Sequence, residues 1–288
     1  MKTAFLIVNY NDYKTTIQLL NNIKEFQSLD KIIVVDNNST DNSFNEIKKY
    51  IKKNKKDKFI DIIKNFENKG YGSGINYGAK YLKKTLGDCY IVVSNADIII
   101  YSDEDISKLI STFDSDTAVV APIIKEHTGV SRGWKVPTPF QDSLLNIIYI
   151  HNYLRPKLLF YKNEYYSEKN IQVDAVSGCF FIINSKYLEQ INYFDENIFL
   201  YYEENTLAQK LKKINKKTMI NTQVEVFHNH SVTIDKNINK LKKYKILKKS
   251  QMYFQKKYNN ANILEQILLF TTNKITLLLL SIIYTIKK

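Results

Sequence analysis

Short apolar runs alternate with stretches of helical spacing through the first hundred residues, and this pattern constrains the fold most. TAFLIVNYN (3–11), KIIVVDNNS (31–39), KFIDIIKN (58–65) and CYIVVSNADIII (89–100) each read as one strand. Between them, DYKTTIQLLNNIKEF, TDNSFNEIKKYIKKN and GYGSGINYGAKYLKKTLG space their apolar residues as helices do. A strand without polar alternation must be covered on both faces, and parallel sheets wrapped by helices provide that cover. The expected fold is therefore α/β, with a mainly parallel sheet and helices on both faces.

Each strand run ends in polar residues: Asn9-Tyr10-Asn11, Asp36-Asn37-Asn38-Ser39, Asn65 with Asn68 and Gly70, and Asn95-Ala96-Asp97. In open parallel sheets ligands bind beyond the carboxyl ends of the strands, so four such clusters describe one polar crevice. Gly70, Gly72, Gly74 and Gly78 allow close approach of a ligand or unusual turns. Their spacing matches neither the dinucleotide fingerprint nor a P-loop. Asp97, set within an apolar run, calls for a neutralising cation, because an unpaired buried carboxylate is costly. Oxygen ligands of this kind suit Mg²⁺ or Mn²⁺ shared with a substrate's phosphates.

The segments IVNYN, VVDNNSTD, NKGYGSGINYG, SNADI, SGCFFIIN and FDENIFLYYEENTLAQKLKK occur in the order seen in family 2 glycosyltransferases. Over residues 3 to about 257 the chain resembles that family, in its rhamnosyltransferase-like and galactofuranosyltransferase-like bacterial branch. The resemblance implies a Rossmann-like GT-A fold. It also implies inverting transfer of a sugar, such as rhamnose, galactofuranose or another hexose, from a nucleotide-diphosphate sugar. Asp36 resembles the carboxylate that contacts base or ribose, with Asn9, Tyr10 and Asn38 in the nucleotide pocket. Asn68, Gly70, Gly74 and Asn76 would shape the wall near ribose and diphosphate. Asn95 and Asp97 match the metal motif, Asp97 as ligand, and His228 matches the late histidine that completes the site. Gly178 belongs to the substrate pocket. Glu203-Glu204 stands where the family usually shows Glu-Asp, and Glu204 occupies the base position. Thr206 replaces a further acid, and Ala96 replaces the usual proline. Trp134 either stacks on an acceptor sugar or caps the core.

The later chain is less regular. TAVVAPIIKE reads as a strand, VDAVSGCFFIINSKYLEQI as a strand entering a helix, EENTLAQKLKKIN as a helix and KTMINTQVEVFHNH as a final strand. Residues 131–170 hold three of the four prolines and read as an irregular functional loop. HNH at 228–230 lacks the context of a nuclease motif, and His127 and His151 read as surface residues without partners. The expected division is a glycosyltransferase domain over 1–235 and a helical extension over 236–288. Residues 1–125 form the nucleotide-sugar half of that domain, and 126–235 the acceptor half.

In the extension a basic helix precedes an apolar one whose longest clean run, Ile275–Ile286, falls short of the ~18–20 residues that span a bilayer. An interfacial helix with Lys274, Lys287 and Lys288 at the headgroups fits it; a core helix or a homodimer interface is the alternative. The net charge of +13 suits an anionic membrane face, a phosphate-bearing substrate or nucleic acid, and equally a lysine-rich coding bias. The two cysteines read as reduced core residues of a cytoplasmic protein, and Ala4–Val8 is too short for a signal peptide. The expected enzyme works peripherally on the inner face of the cell membrane, on a saccharide or lipid-linked acceptor of surface polysaccharide such as capsule. A nucleotidyltransferase is the rival enzyme, but NYNDYKTT lacks the basic glycine-rich loop it needs. A nucleic-acid-binding protein is the rival outside enzymes, and no recognised module supports it.

Overall fold

The computed structural model describes residues 1–56, 58–229 and 240–286. His230 of the HNH triplet, Lys236, the 235/236 boundary, Lys287 and Lys288 lie outside the described residues.

The alternating first half folds as its pattern requires. Strands β1 (Lys2–Asn9), β2 (Lys31–Asp36), β3 (Ile60–Lys64) and β4 (Cys89–Ser94) lie parallel in the order β3-β2-β1-β4. Helices α1 (Tyr13–Ile23), α2 (Ser43–Lys53) and α3 (Tyr71–Leu86) connect them. Residues alternate between faces along each strand. Phe5 and Ile7 meet Leu19 and Leu20 of α1 and Ile47 of α2 on one face, while Ala4 and Leu6 meet Ile75 and Ala79 of α3 on the other.

CYIVVSNADIII is not one strand. β4 ends at Ser94 and β5 occupies only Ile98–Ile100. At Asn95-Ala96-Asp97 the chain leaves the parallel sheet, and β5 joins the far edge of the full order β3-β2-β1-β4-β9-β6-β10-β5. The intervening strands are β6 (Thr117–Glu126), β9 (Phe180–Asn184) and β10 (Lys217–His228). β7 (Gly129–Ser131) pairs with β6, and β8 (Asn170–Val173) with β10. β9 runs antiparallel to β4 and β6, β10 parallel to β6, and β5 antiparallel to β10. These directions bring the ends of β1, β2, β4, β6 and β10 and the starts of β5 and β9 to one edge. Helices α4 (Asp103–Ile110), α7 (Ser185–Gln190) and α8 (Glu203–Lys213) complete the layers.

Residues 131–170 are mostly helical, against the expectation of an irregular loop. α5 (Pro139–Leu145) and α6 (Ile148–Leu159) precede a 3₁₀ turn at Asn163–Ser167. Pro139 sits in the first turn of α5, and Thr138 and Gln141 close a capping box around it. Neither His127 nor His151 lacks a partner: His127 Nε2 meets Asn229 Oδ1 at 3.2 Å, and His151 Nδ1 meets the Leu145 carbonyl at 2.7 Å.

The chain ends in α9 (Lys240–Lys257) and α10 (Ile263–Ile286). α9 is basic outwardly, yet it buries Ser250, Gln251, Phe254 and Gln255 against the body. α10 is one continuous helix, longer than the clean apolar run suggested. Its segment Ile263–Ile283 is long and apolar enough by length and composition to cross a membrane, and only 17% of that window is buried. α10 buries Leu269, Asn273 and Thr276 and turns Ile267, Phe270, Ile275, Leu278 and Ile282 outward.

Candidate active site

The edge where the strands converge holds three connected groups. The first surrounds Asp36 at the end of β2. Its carboxylate is fully buried; Asn9 Nδ2 donates to Oδ2 at 3.0 Å and the Ser39 amide to Oδ1 at 3.1 Å. Asn9 also accepts from Thr16, so its amide is spent inside the protein, bracing Asp36. Tyr10 lies half-buried just past β1, and Asn38 takes a left-handed turn at φ 63°. Each carboxylate oxygen thus carries one internal donor and keeps a second lone-pair direction.

The second group is the entrance to α3. Asn37 is the knot here, a buried residue that the sequence places in the polar run after β2 without marking a role for it. It donates to Asn68 Oδ1 and to the Gly70 carbonyl, each at 3.1 Å, and accepts from Asn65. Gly70 stands at φ 106°, and a Cβ there would lie 1.9 Å from the Phe199 carbonyl oxygen, so only glycine fits. At Gly74 a Cβ would press on Val8. Asn76 bonds both backbone groups of Phe194 and the Glu196 carboxylate, fastening α3 to the turn before α8.

The third group is the acidic one. Because β5 pairs with β10 in the register His228↔Ile98, Asp97 comes to lie beside the imidazole. Asp97 Oδ1 is 3.2 Å from His228 Nε2, and Glu126 Oε1 is 3.2 Å from Nδ1. Burial opposes a charge on His228, but hydrogen bonds to Asp97 and Cys179 outweigh it and push its pKa up to about 11. A divalent cation would have to displace the Nε2 proton, since only the neutral imidazole has a lone pair to give. A carboxylate oxygen and an imidazole nitrogen lie close enough to share one ion, and Mg²⁺ or Mn²⁺ commonly takes few protein ligands beside water and phosphate oxygens. Glu126 faces the opposite ring nitrogen, and among the described residues no three His, Cys, Asp or Glu form a metal cluster.

Gly178 and Cys179, at the approach to β9, join this pair to the two glutamates. The Cys179 carbonyl accepts from the Asn95 amide at 2.8 Å. The Gly178 amide donates to Glu204 Oε1 at 3.1 Å, and its carbonyl accepts from the Tyr71 hydroxyl at 3.1 Å. Glu203 and Glu204 open helix α8 and line one pocket with Tyr71, Asp174, Gly178 and Thr218. Burial raises the pKa of Glu204. Burial and the neighbouring Glu204 charge hold Glu203 well above the ordinary carboxylate range, and its buried Oε1 has no hydrogen-bond partner. The arrangement can bind a cation, hold a polar ligand along the sheet edge and accept a proton at Glu204. Trp134 is tied into the protein: its backbone bridges Ala175, and its half-buried indole donates to Asn205 Oδ1 at 2.8 Å on the same helix as the glutamates.

The model of glycosyl transferase family 2 matches residues 4–191. The chain belongs to this family. The matched span ends before Glu203, Glu204 and His228, so the acidic half of the site rests on geometry. Among curated relatives, the low-salt glycan biosynthesis hexosyltransferase Agl10 of Haloferax volcanii is 27% identical over 234 residues, covering 80% of this chain and 67% of that protein. Among solved structures, GalNAc-T7 with UDP, GalNAc and Mn²⁺ superposes with a TM-score of 0.62 at 15% identity. That match covers 80% of this chain but only 44% of the other, so the chain spans less than half its length. The mannosyltransferase PcManGT of Pyrobaculum calidifontis, in complex with GDP-Man and Mn²⁺, superposes with a TM-score of 0.60 at 14% identity, over 96% of this chain and 72% of that one. These likenesses give the family 2 member its GT-A fold.

Proposed function

We propose that the protein transfers a hexose from a nucleotide-diphosphate sugar to a hydroxyl of a saccharide or lipid-linked saccharide, with inversion at the anomeric carbon. The observation that carries this reading is the bridge at Gly178–Cys179, which ties a cation-suited pair to a proton acceptor at one sheet edge. Asp36, Tyr10 and Asn38 lie where the nucleoside would sit, and Asn37 and Asn68 shape the turn that faces its phosphates. Asp97 and His228 would hold Mg²⁺ or Mn²⁺; when bound, such an ion offsets the negative charge that grows on the leaving diphosphate.

Glu204 is the base. The acceptor oxygen attacks the anomeric carbon, the bond from that carbon to the diphosphate oxygen breaks with its electron pair leaving on the phosphate, and the hydroxyl proton passes to Glu204. The Gly178 amide holds the accepting carboxylate in place. Burial and the neighbouring Glu204 charge favour the neutral form of Glu203, whose buried Oε1 has no hydrogen-bond partner within the protein.

The outward apolar face of α10 fits the interfacial region of an anionic bilayer, with the lysines of α9 alongside. This favours work on an acceptor at the inner membrane surface; a second copy of the chain is the other occupant such a face suits.

Titration calorimetry with UDP or GDP and Mn²⁺ tests the division of roles. Asp97→Ala and His228→Ala should each weaken metal-dependent nucleotide binding at least tenfold. Glu204→Gln should keep that binding and lose transfer by ~10²–10⁴-fold. Equal binding losses in all three variants would refute the assignment.

A further inference from the structure

Two left-handed residues in succession, Tyr201 and Tyr202, both at φ 69°, stand immediately before Glu203. Such backbone is uncommon for bulky residues, and it persists only where surrounding structure holds it. Helix α8 holds the turn only through its first backbone bond, from the Thr206 amide to the Tyr202 carbonyl at 2.9 Å: Tyr202 is the N-cap and makes no side-chain cap hydrogen bond. The other holding contacts come from elsewhere. The Tyr202 hydroxyl donates to Asp142 Oδ2 of α5 at 2.8 Å, and Gln251 Nε2 of α9 donates to that hydroxyl at 3.0 Å. The Tyr202 ring packs on Phe254 at 5.4 Å, and Ser250 Oγ donates to the Leu200 carbonyl at 2.8 Å. Gln255 Nε2 donates to the same Asp142 oxygen at 2.6 Å, so α9 also fixes the group that fixes Tyr202.

We infer that α9 is a positioning element of the transfer site: Gln251, Phe254 and Gln255, acting with Asp142 of α5, clamp the left-handed turn at Tyr201–Tyr202 that presents Glu203 and Glu204 to the pocket. None of these residues meets substrate. Ser250, Gln251, Phe254, Gln255 and Asp142 are buried; Ser250, Gln251 and Asp142 bond the turn, while Gln255 bonds Asp142, the Pro137 carbonyl and Asn259. The basic exterior of α9 is thus one side of a helix whose other side belongs to the catalytic half. The inference rests on Glu204 being the base only for its effect on rate; the clamp itself is a statement about backbone.

Amide hydrogen exchange on the full chain tests it without knowledge of the substrate. Wild type is compared with Tyr202→Phe, Gln251→Ala and the double variant. Exchange over residues 199–206 should quicken at least tenfold in each single variant and no further in the double, while β1 and β4 keep wild-type protection. Binding of UDP or GDP with Mn²⁺ should stay unchanged. With whichever UDP-, GDP- or dTDP-hexose the wild type hydrolyses fastest, kcat should fall at least tenfold at unchanged donor KM. Wild-type exchange over 199–206 in both variants would overturn the inference, and so would a rise shared by β1 and β4, which marks general destabilisation. A Glu204→Gln variant that still hydrolyses donor would remove the base reading and leave the exchange result standing, so the two failures are separable.

Discussion

At Gly178 one missing side chain decides the geometry of a carboxylate. A Cβ there would lie 2.8 Å from Glu204 Oε1, while the amide of the same residue donates to that oxygen. Gly178→Ala should therefore cost catalysis more than stability: a fall in kcat of about tenfold or more, with a melting temperature within a few degrees of wild type. Initial-rate kinetics beside calorimetric melting separates the two effects. Asp142 has a different consequence. Burial raises its pKa to about 6 despite hydrogen bonds from Gln255 and Tyr202. Below about pH 4 it is neutral in both folded and unfolded chains. As pH climbs toward 6 the unfolded chain ionises first, so the stability this group contributes is lost through that window, by about 3 kcal/mol at about 1.4 kcal/mol per unit. Asp142→Asn should flatten that slope, read as denaturation midpoints between pH 4 and 7.

Among the elements, the agreement between pattern and structure follows the kind of signal each segment carries. β1, β2 and β6 were legible because a continuous apolar run bounded by polar residues has few other uses, and the helices α1, α2 and α3 kept clear spacing. The split of β4 from β5 was hidden because both halves are apolar, and only pairing partners distant in sequence separate them. α5 was legible in principle, since Thr138-Pro139-Phe140-Gln141 spells a capping box with proline in the first turn; counting prolines obscured it. Thr138→Ala should destabilise the protein by about 1 kcal/mol, measured by chemical denaturation. At the site, the acidic residues stood out as charges in apolar surroundings. Asn37, Tyr71 and Tyr202 did not, because their roles depend on hydrogen bonds to residues far along the chain.

For the whole molecule, the outward apolar residues of α10 set the prediction about location. The full chain should float with vesicles containing phosphatidylglycerol. Ile267→Glu together with Leu278→Glu should shift most of it to the unbound fraction without altering nucleotide binding; unchanged flotation, or a concentration-dependent change in mass instead, would point to a second copy of the chain as the occupant. The pairing of β5 with β10 has an effect in time as well as in space. Asp97 emerges early in synthesis, but the imidazole beside it belongs to the last strand of the sheet. On the proposed assignment of Asp97 and His228 to a cation, ribosome-bound fragments ending short of residue 228 should not yet grip sugar nucleotide in a manganese-dependent way.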